Sequence, residues 1–328
     1  MTQLRLVACE RQHPLTTPLV ISREVFVAAS TIEVSIADGS FVGRGEGCPA
    51  LRFGETAAAT VELIAAHESA IVNGDRKALQ SILPAGPARN AVDCAWWDLE
   101  AKRAGRRAWT LAGIETFRRI RTVRTVGLGA PDEMATEARR FPATQPLKVK
   151  TSADDIVRRV SAVRAAQPNC EIMIDANEAW TKEIYRDVIN DLKALGVCMI
   201  EQPFPASNDT ALIDLDRPIP VYADESCCQT RDIEALKGRY DGIAIKLDKS
   251  GGLTEALGMV SEARRLDLGL MVGCNGGTSL GVAPGMIVGQ SCSFVDLDQA
   301  FFLSRDIENG VSADESGLLS EPAPALWG

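Results

Sequence analysis

The chain has 328 residues, of which 46% are hydrophobic and 24% charged, and its formal net charge is -9. This length supports two domains with full cores, and the negative charge argues against nucleic acid or an anionic membrane surface as a partner. Nine cysteines without a Cys-x-x-Cys motif indicate free thiols in a reducing compartment, and no uncharged run is long enough to span a bilayer. We therefore expect a cytoplasmic globular enzyme; the sequence allows a homo-oligomer and leaves its existence open.

The N-terminal part of the chain has the pattern of an α+β domain. Extended runs over Phe26–Ile36 and Phe41–Gly47 are joined by Ala37–Ser40, a hairpin signal, and three helical stretches follow. The last 25 residues, rich in Pro, Ser and Gly, are too few for a domain of their own. We predict an N-terminal domain over residues 1–115, onto which residues 304–328 pack back. The predicted helices are Glu55–Val72, Arg76–Leu83 and Ala88–Arg103.

Between residues 116 and 303 the chain repeats a strand and a helix. Five short apolar runs end in charged residues at intervals of 25, 26, 23 and 22 residues, namely Lys150, Asp175, Glu201, Asp224 and Lys246. Each interval accommodates one strand, one helix and two short loops, which is the repeat of a β/α barrel. We therefore predict an α/β fold with a modified TIM barrel of eight strands over residues 116–303. The remaining predicted strands are Val123–Gly127, Leu270–Gly273 and Ser293–Asp298.

The histidine content limits the chemistry of such a barrel. His13 and His67 are the two histidines of the chain, and both fall outside the predicted barrel. A barrel active site with Ser-His-Asp, Cys-His or histidine-rich zinc chemistry would need a histidine from outside the barrel. A base at the strand ends is then a lysine, with a carboxylate or a tyrosine as the alternatives.

The charged strand ends predict a metal site and two bases. Asp175, Glu201 and Asp224 end neighbouring strands, so a divalent cation would offset their repulsion, and hard oxygen ligands favour Mg2+. Lys150 and Lys246 end strands on opposite sides of the barrel and would face each other across the bound substrate. Two bases on opposite faces of one carbon are what a racemase or epimerase requires, with the metal stabilising an enolate.

Three more polar residues lie beside these strand ends. Lys148 and Asn177 are predicted to support the groups that contact the substrate and the metal, and Glu225 is either such a support or an acid of the following loop. Taken singly, each charged residue at a strand end is more often solvated or part of a turn. The five charged strand ends at barrel spacing are much harder to obtain by accident, and this favours the catalytic interpretation.

Five motifs carry a family resemblance: Lys148-Val149-Lys150, Asp175-Ala176-Asn177, Glu201-Gln202-Pro203, Ala223-Asp224-Glu225-Ser226 and Ile245-Lys246-Leu247. They resemble the enolase superfamily, muconate-lactonizing subgroup. The stretch from Ala88 to Leu99 is similar to that family's helix before the barrel, so the resemblance covers nearly the whole chain. It implies Mg2+ as cofactor and a capping domain over the barrel, completed by the C-terminal segment. In some relatives the second barrel strand is antiparallel.

A pair of aspartates indicates which members of this superfamily the chain resembles most. Asp296 and Asp298 on the eighth predicted strand resemble those of the dipeptide epimerases, among which L-Ala-D/L-Glu epimerase is the best-known activity. The resemblance implies that the metal holds the substrate's C-terminal carboxylate while the two aspartates bind its free ammonium group. An extended dipeptide, which spans about 7 Å, can reach both ends. We therefore expect an isomerase, a Mg2+-dependent dipeptide epimerase that inverts the α-carbon of the second residue.

Two other functions remain open at this point. An o-succinylbenzoate synthase or N-acylamino acid racemase would share the metal and the lysines but would need no ammonium site. Blocking the substrate's amino group discriminates between these enzymes and a dipeptide epimerase. Outside enzymes, the chain could be a catalytically silent barrel that binds a metal or a peptide, and exchange of the α-proton with solvent would decide that alternative.

The resemblance also bears on the preferred substrate. Glutamate-specific members place an arginine in the mobile loop of the capping domain, and our alignment puts Phe26 near that position, although a small register shift would make it Arg23. Beside Asn275, Gly276 and Gly277 stand where bulkier residues are usual, which widens the pocket. A buried carboxylate without a guanidinium partner is costly, so we expect an uncharged, apolar second residue rather than L-Ala-L-Glu.

Overall fold

The computed structural model describes residues 4–328, whose N-terminal part begins with a three-stranded antiparallel sheet. Its strands, in sheet order, are Arg5–Val20 (β1), Val25–Ala37 (β2) and Val42–Gly47 (β3). The hairpin of β2 and β3 matches the prediction. In contrast, β1 has no counterpart among the predicted strands, because Leu6 is its one buried residue and no apolar alternation marks it.

Helices follow this sheet in the chain, and the first, second and fourth of them pack on its strands. They are Ala57–Ala66 (α1), Glu68–Asn73 (α2), Arg76–Ile82 (α3), Pro87–Ala104 (α4) and Ala108–Leu111 (α5). The single helix predicted over Glu55–Val72 is two helices, α1 and α2, which meet at His67. Glycines bring β3 against α4: a Cβ added at Gly43, Gly45 or Gly47 would lie 2.1 to 2.2 Å from a backbone oxygen of that helix.

Eight parallel strands form the barrel, in the order of the chain. They are Arg124–Val126 (β4), Leu147–Lys150 (β5), Ile172–Asp175 (β6), Val197–Glu201 (β7), Val221–Ala223 (β8), Gly242–Lys246 (β9), Gly269–Gly273 (β10) and Phe294–Val295 (β11). The backbone N of Val123 donates to the carbonyl of Val295 at 3.0 Å, which joins the two ends of the sheet. The second barrel strand, β5, runs parallel to both of its neighbours, unlike its counterpart in some relatives.

Helices follow the strands, most of them on the outside of the barrel. They are Pro131–Ala138 (α6), Ile156–Ala166 (α7), Lys182–Ala194 (α8), Thr230–Ile233 (α9), Leu247–Ser250 (α10), Leu253–Arg265 (α11) and Ser279–Gly289 (α12). The short helix α10 packs against α4 and directly continues β9, so Lys246 lies at a junction between strand and helix. Because β11 has two residues, Asp296 and Asp298 lie just beyond it rather than within the predicted strand.

Alternate side chains of the strands fill the barrel in two layers. The lower layer, toward the amino ends of the strands, is an apolar cluster of Val123, Met173, Met199, Tyr222, Ala244 and Met271. Two positions further along four of these strands come charged residues, because side chains two apart share one face of a strand. They are Asp175, Glu201, Asp224 and Lys246. The predicted α/β class and barrel architecture are confirmed.

The C-terminal segment packs on both parts of the molecule. The backbone N of Gly328 donates to Asp98 Oδ1 at 2.8 Å, and the indole of Trp327 donates to the carbonyl of Cys94 at 3.1 Å, both on α4. The backbone N of Leu319 also donates to the carbonyl of Ile120, which leads into the barrel. The segment therefore packs against the capping domain and against the chain that leads into the barrel, and its assignment to the capping domain stays a prediction. The domain boundaries at residues 115 and 303 stay predictions.

Candidate active site

A cavity of about 550 Å³ lies between the barrel mouth and the capping domain. Its barrel wall carries residues of β5 and β9 and residues that follow β6, β10 and β11, and its roof includes residues of β2 and of the loop before it. The predicted site residues that line it are Arg23, Phe26, Lys148, Lys150, Asn177, Lys246, Asn275, Asp296 and Asp298. The other four, Asp175, Glu201, Asp224 and Glu225, are at most 7% exposed and lie against residues of this wall.

Three buried carboxylates come together at the ends of β6, β7 and β8. Asp175 and Glu201 are fully buried and Asp224 is 2% exposed. Among residues 4–328, Oε1 of Glu201 finds no hydrogen-bond donor, whereas Oε2 of Glu201 and Oδ1 of Asp224 each contact a lysine ammonium group at 2.7 Å. Three buried carboxylates at one site, one of them with an oxygen that no donor reaches, favour a cation there, and a set made only of carboxylates suits a hard one. The residues present therefore fit Mg2+.

Lysine side chains pair with these carboxylates. Lys150 Nζ lies 2.6 Å from Asp175 Oδ2, and Lys246 Nζ lies 2.7 Å from Asp224 Oδ2. Lys148 is in register with the apolar Met173, yet its Nζ reaches up to Asp175 at 3.0 Å. It also contacts Glu201 at 2.7 Å and Asp296 at 2.6 Å. The site is thus a closely balanced network of opposite charges.

The network moves the pKa values of its members in opposite directions. Burial, followed by the charge of Asp175, raises the pKa of Glu201 above its usual value. For Asp224, burial is outweighed by Lys246 and Lys249, and its pKa is held well below the ordinary range. Burial alone would lower the pKa of Lys246, but Asp224 and Glu201 outweigh it and raise the pKa. The protein alone therefore holds Lys246 as an ammonium.

Asn177 and Glu225 support the site from the loops after β6 and β8. The backbone N of Asn177 donates to Asp175 Oδ1 at 2.9 Å, and its side-chain oxygen accepts from Lys150 at 3.2 Å. Asn177 has a positive φ of 45°, a conformation that asparagine tolerates better than most residues. Glu225 Oε1 pairs with Arg23 at 2.6 Å. Both residues thus lie beside the carboxylates and lysines of the site, and their roles stay predictions.

The aspartate pair lies beside the same network, because Lys148 contacts Asp296 as well as Asp175 and Glu201. Asp296 Oδ2 accepts from Lys148, while its Oδ1 has no donor within the described chain. Asp298 Oδ2 accepts from the backbone N of Thr125 at 2.7 Å, and burial followed by Asp296 raises the pKa of Asp298. Two adjacent carboxylates with an unsatisfied oxygen suit a cationic group of a ligand.

The loop between β1 and β2 brings Arg23 to the barrel mouth. Besides its pair with Glu225, the guanidinium donates to the carbonyl of Asn177 at 2.9 Å and contacts Glu178 at 3.3 Å. Phe26 lies on β2 and lines the same cavity. Both residues considered for the specificity position therefore reach the site, and Arg23 is the one bound to the barrel.

Three residues of the site have no counterpart among the predicted ones. Gln202 Oε1 accepts from the backbone N of Asp224 at 2.8 Å, Lys249 Nζ lies 2.7 Å from Asp224 Oδ1, and Glu178 binds Arg52 at 2.6 Å. Lys249 follows Lys246 by three residues, about one helical turn, so a helix predicted directly after the strand could have indicated it. Nothing in the local sequence marks the pairing of Glu178 with two arginines of another domain.

Comparison with known families agrees with this architecture. Residues 3–113 match the mandelate racemase / muconate lactonizing enzyme N-terminal domain, and residues 133–323 match the enolase C-terminal domain-like family. The chain therefore belongs to the mandelate racemase / muconate lactonizing enzyme family of the enolase superfamily, which confirms the resemblance seen in its motifs.

Individual relatives show which members of this family the chain is similar to. The chain is 41% identical over 302 residues to L-Ala-D/L-Glu epimerase of Escherichia coli (strain K12), covering 91% of this chain and 94% of that protein. A solved enolase family member from Agrobacterium tumefaciens, with homology to dipeptide epimerases, contains bound sodium and L-Ala-L-Glu. It superposes with a TM-score of 0.95 at 40% identity, covering 99% of this chain and 100% of that one.

A more distant solved structure contains magnesium. It is a dipeptide epimerase from Enterococcus faecalis V583 complexed with Mg and L-Leu-L-Tyr. The TM-score is 0.89 at 27% identity, and the match covers 98% of this chain and 96% of that one. Similar proteins thus bind dipeptides that differ in both residues.

Proposed function

We propose that this protein is a Mg2+-dependent dipeptide epimerase that inverts the α-carbon of the second residue by 1,1-proton transfer. The observation that carries the proposal is the placement of Lys150 and Lys246. They line one cavity from strands β5 and β9, and three buried carboxylates end the strands between them. Solvent-deuterium exchange at the α-carbon over a dipeptide library tests it: a chain that exchanges no α-proton of any dipeptide is not an epimerase.

Asp175, Glu201 and Asp224 would hold the metal ion. When bound, Mg2+ supplies positive charge that stabilises the enolate over the neutral acid. Asp224→Asn removes one charged ligand, so we expect a folded protein with weakened Mg2+ binding and nearly no activity. Full activity in excess chelator would be incompatible with the proposed metal dependence.

The two lysines would act on opposite faces of the same carbon. For one enantiomer Lys150 removes the α-proton and Lys246 delivers a proton to the reverse face, and for the other enantiomer the roles exchange. Lys148 contacts all of Asp175, Glu201 and Asp296, so it would keep the ionic groups of the site in place between the two bases. Asn177 orients Lys150 through its side-chain oxygen.

Asp296 and Asp298 would bind the free ammonium group of the dipeptide. Asp298→Asn should raise KM for free dipeptides about tenfold and leave N-blocked analogues unaffected, because the ammonium is bound alike in the ground and transition states. This comparison also separates the proposal from an N-acylamino acid racemase or o-succinylbenzoate synthase, which would turn over substrates without an ammonium group. An unchanged KM for free dipeptides would remove the aspartates from the site.

Two predictions differ in the side chain they expect at the second residue of the substrate. Phe26, Gly276 and Gly277 line the cavity and favour an apolar side chain. Arg23 lies at the mouth and could pair with an acidic one. Comparing kcat/KM over L-Ala-L-Xaa dipeptides decides between them. A clear preference for Glu that is lost in Arg23→Ala would show that the apolar prediction is wrong.

The substrate is a small molecule, and the wider setting of the protein stays a prediction. No helix in residues 4–328 has both the length and the apolarity needed to cross a bilayer. We keep as expectations a cytoplasmic location, the lack of nucleic-acid and membrane partners, and the open question of a homo-oligomer. Sedimentation of the purified protein measures its oligomeric state.

A further inference from the structure

A fourth lysine of the site is buried behind the metal-ligand candidates. Lys249 lies on α10, three residues after Lys246, and its side chain is 2% exposed. Lys148, Lys150 and Lys246 line the cavity, whereas Lys249 is absent from the cavity wall formed by the described residues. Its role is therefore not direct contact with the substrate.

Every contact of its ammonium group is with the protein. Lys249 Nζ lies 2.7 Å from Asp224 Oδ1 and donates to the carbonyls of Cys227 at 2.8 Å and Ala244 at 3.2 Å. It also donates to the carbonyl of Asp224 itself. A lysine ammonium has three N–H donors, and these four oxygens are enough to engage all of them. The group is thus fixed in place, with both the side chain and the backbone of Asp224 among its partners.

Asp175 and Asp224 are held in a similar way by different means. Asp175 Oδ1 accepts from the backbone N of Asn177 at 2.9 Å, while its Oδ2 faces Lys150. Asp224 Oδ2 faces Lys246 at 2.7 Å, while its Oδ1 pairs with Lys249. Each carboxylate thus has one oxygen anchored behind the site and one directed at a cavity lysine. The anchor of Asp224 is a full positive charge, whereas that of Asp175 is a neutral amide.

We propose that Lys249 is a positioning residue that fixes the orientation of Asp224 and keeps it charge-compensated when Lys246 turns toward the substrate. A carboxylate held by Lys246 alone would lose its lysine partner in that step, and an uncompensated buried charge is unfavourable. The inference rests on the proposed function in taking Asp224 as a metal ligand and Lys246 as a group that acts on the substrate. Residues that orient metal ligands commonly change metal affinity by about 10-fold to 100-fold when replaced.

Calorimetric Mg2+ titration of Lys249→Met is the direct test. We expect the Kd for Mg2+ to rise by about 10-fold or more. At saturating Mg2+ we expect kcat to fall while the dipeptide KM stays within about twofold, because the residue does not touch the substrate. Ser250→Ala is the matched control. Ser250 is buried next to Lys249 in the same helical turn, and its hydroxyl bonds only to the carbonyls of Leu247 and Gly252.

The outcomes separate this inference from the proposed function. A wild-type protein that binds no Mg2+ would overturn the metal site itself. Wild-type Mg2+ binding that is unchanged in folded Lys249→Met, or equally weakened in Ser250→Ala, would overturn the role of Lys249 alone. If Lys249→Met does not fold, Lys249→Arg is the second test, because it keeps the positive charge but moves it. Lys249→Arg must then weaken Mg2+ binding more than Ser250→Ala does. Equal Mg2+ binding in these two variants would refute the inference.

Discussion

The lower and upper layers of the barrel interior are built by the same strands but differ in every physical respect. The lower layer, around Met173, Met199 and Met271, is apolar and excludes water. The upper layer, two residues further along, buries carboxylates and lysines. Burial of apolar groups stabilises the fold, whereas buried ion pairs barely offset their own desolvation. One layer therefore supports the fold, and the other is retained for chemistry at little gain in stability.

Removing a base from the upper layer should give the largest effect of all. Lys150→Ala and Lys246→Ala should each lower epimerisation in both directions by about a thousandfold or more, since each direction needs both groups. Each variant keeps one base and should exchange the α-proton of mainly one enantiomer, which proton NMR in deuterated water measures. If both variants exchange both enantiomers equally well, the two-base assignment is wrong.

A substitution that leaves a void in the lower layer should reduce stability but leave metal binding unchanged. Met271 is fully buried in the apolar cluster, so Met271→Ala should lower the free energy of unfolding by about 2–5 kcal/mol. Urea unfolding measures this loss, and the Kd for Mg2+ of the folded fraction should stay near the wild-type value. Met271→Leu, which nearly conserves volume, is the control and should cost less than about 1.5 kcal/mol. A large loss of Mg2+ affinity in Met271→Ala would contradict the separation of the two layers.

Stability should also respond to pH at the seam between capping domain and barrel. Glu46 on β3 accepts from the backbone N of Thr278 at 2.7 Å, and burial, with Asp248 nearby, raises its pKa from 4.5 to about 7. The folded state then binds more protons than the unfolded state between these values. The contribution of Glu46 to stability is therefore greatest below pH 4.5 and is lost as the pH rises to 7 and above, by roughly 3 kcal/mol at most.

The variant Glu46→Gln isolates that contribution. It cannot titrate, so its Tm should decline less than that of the wild type between about pH 5 and pH 8. Differential scanning calorimetry across this range gives both slopes. Parallel slopes in the two proteins would show that Glu46 does not carry the proton uptake.

The smallest effect is expected outside the barrel, where loops of the capping domain meet Glu178. Arg52 binds this carboxylate at 2.6 Å and Arg23 approaches it at 3.3 Å. Arg52 is 39% exposed, so the pairs are screened and Glu178→Gln should change kcat/KM only about two- to fivefold. The change should shrink at high ionic strength. Asp38→Asn, which breaks the similarly exposed pair with Arg103 away from the cavity, should leave kcat/KM unchanged.

The upper layer was also the part most accessible from sequence. Regular intervals between strand ends place Asp175, Glu201 and Asp224 without any knowledge of loops, because a barrel points all its strand ends to one side. Loop positions have no such rule, so periodicity alone could not decide between Phe26 and Arg23. Strand periodicity does not indicate Lys249 either, because this residue lies beyond the end of β9 and the helical turn of α10 brings it behind Asp224.

The glycines of β3 have a practical consequence for redesign. Backbone contact with α4 at Gly43, Gly45 and Gly47 leaves no room even for a methyl group. A combinatorial library aimed at new substrate preferences would lose most of its members at these three codons, whichever residue they introduced. Diversity is better placed in the cavity wall at Phe26 and Asn275, where a new side chain can extend into open volume.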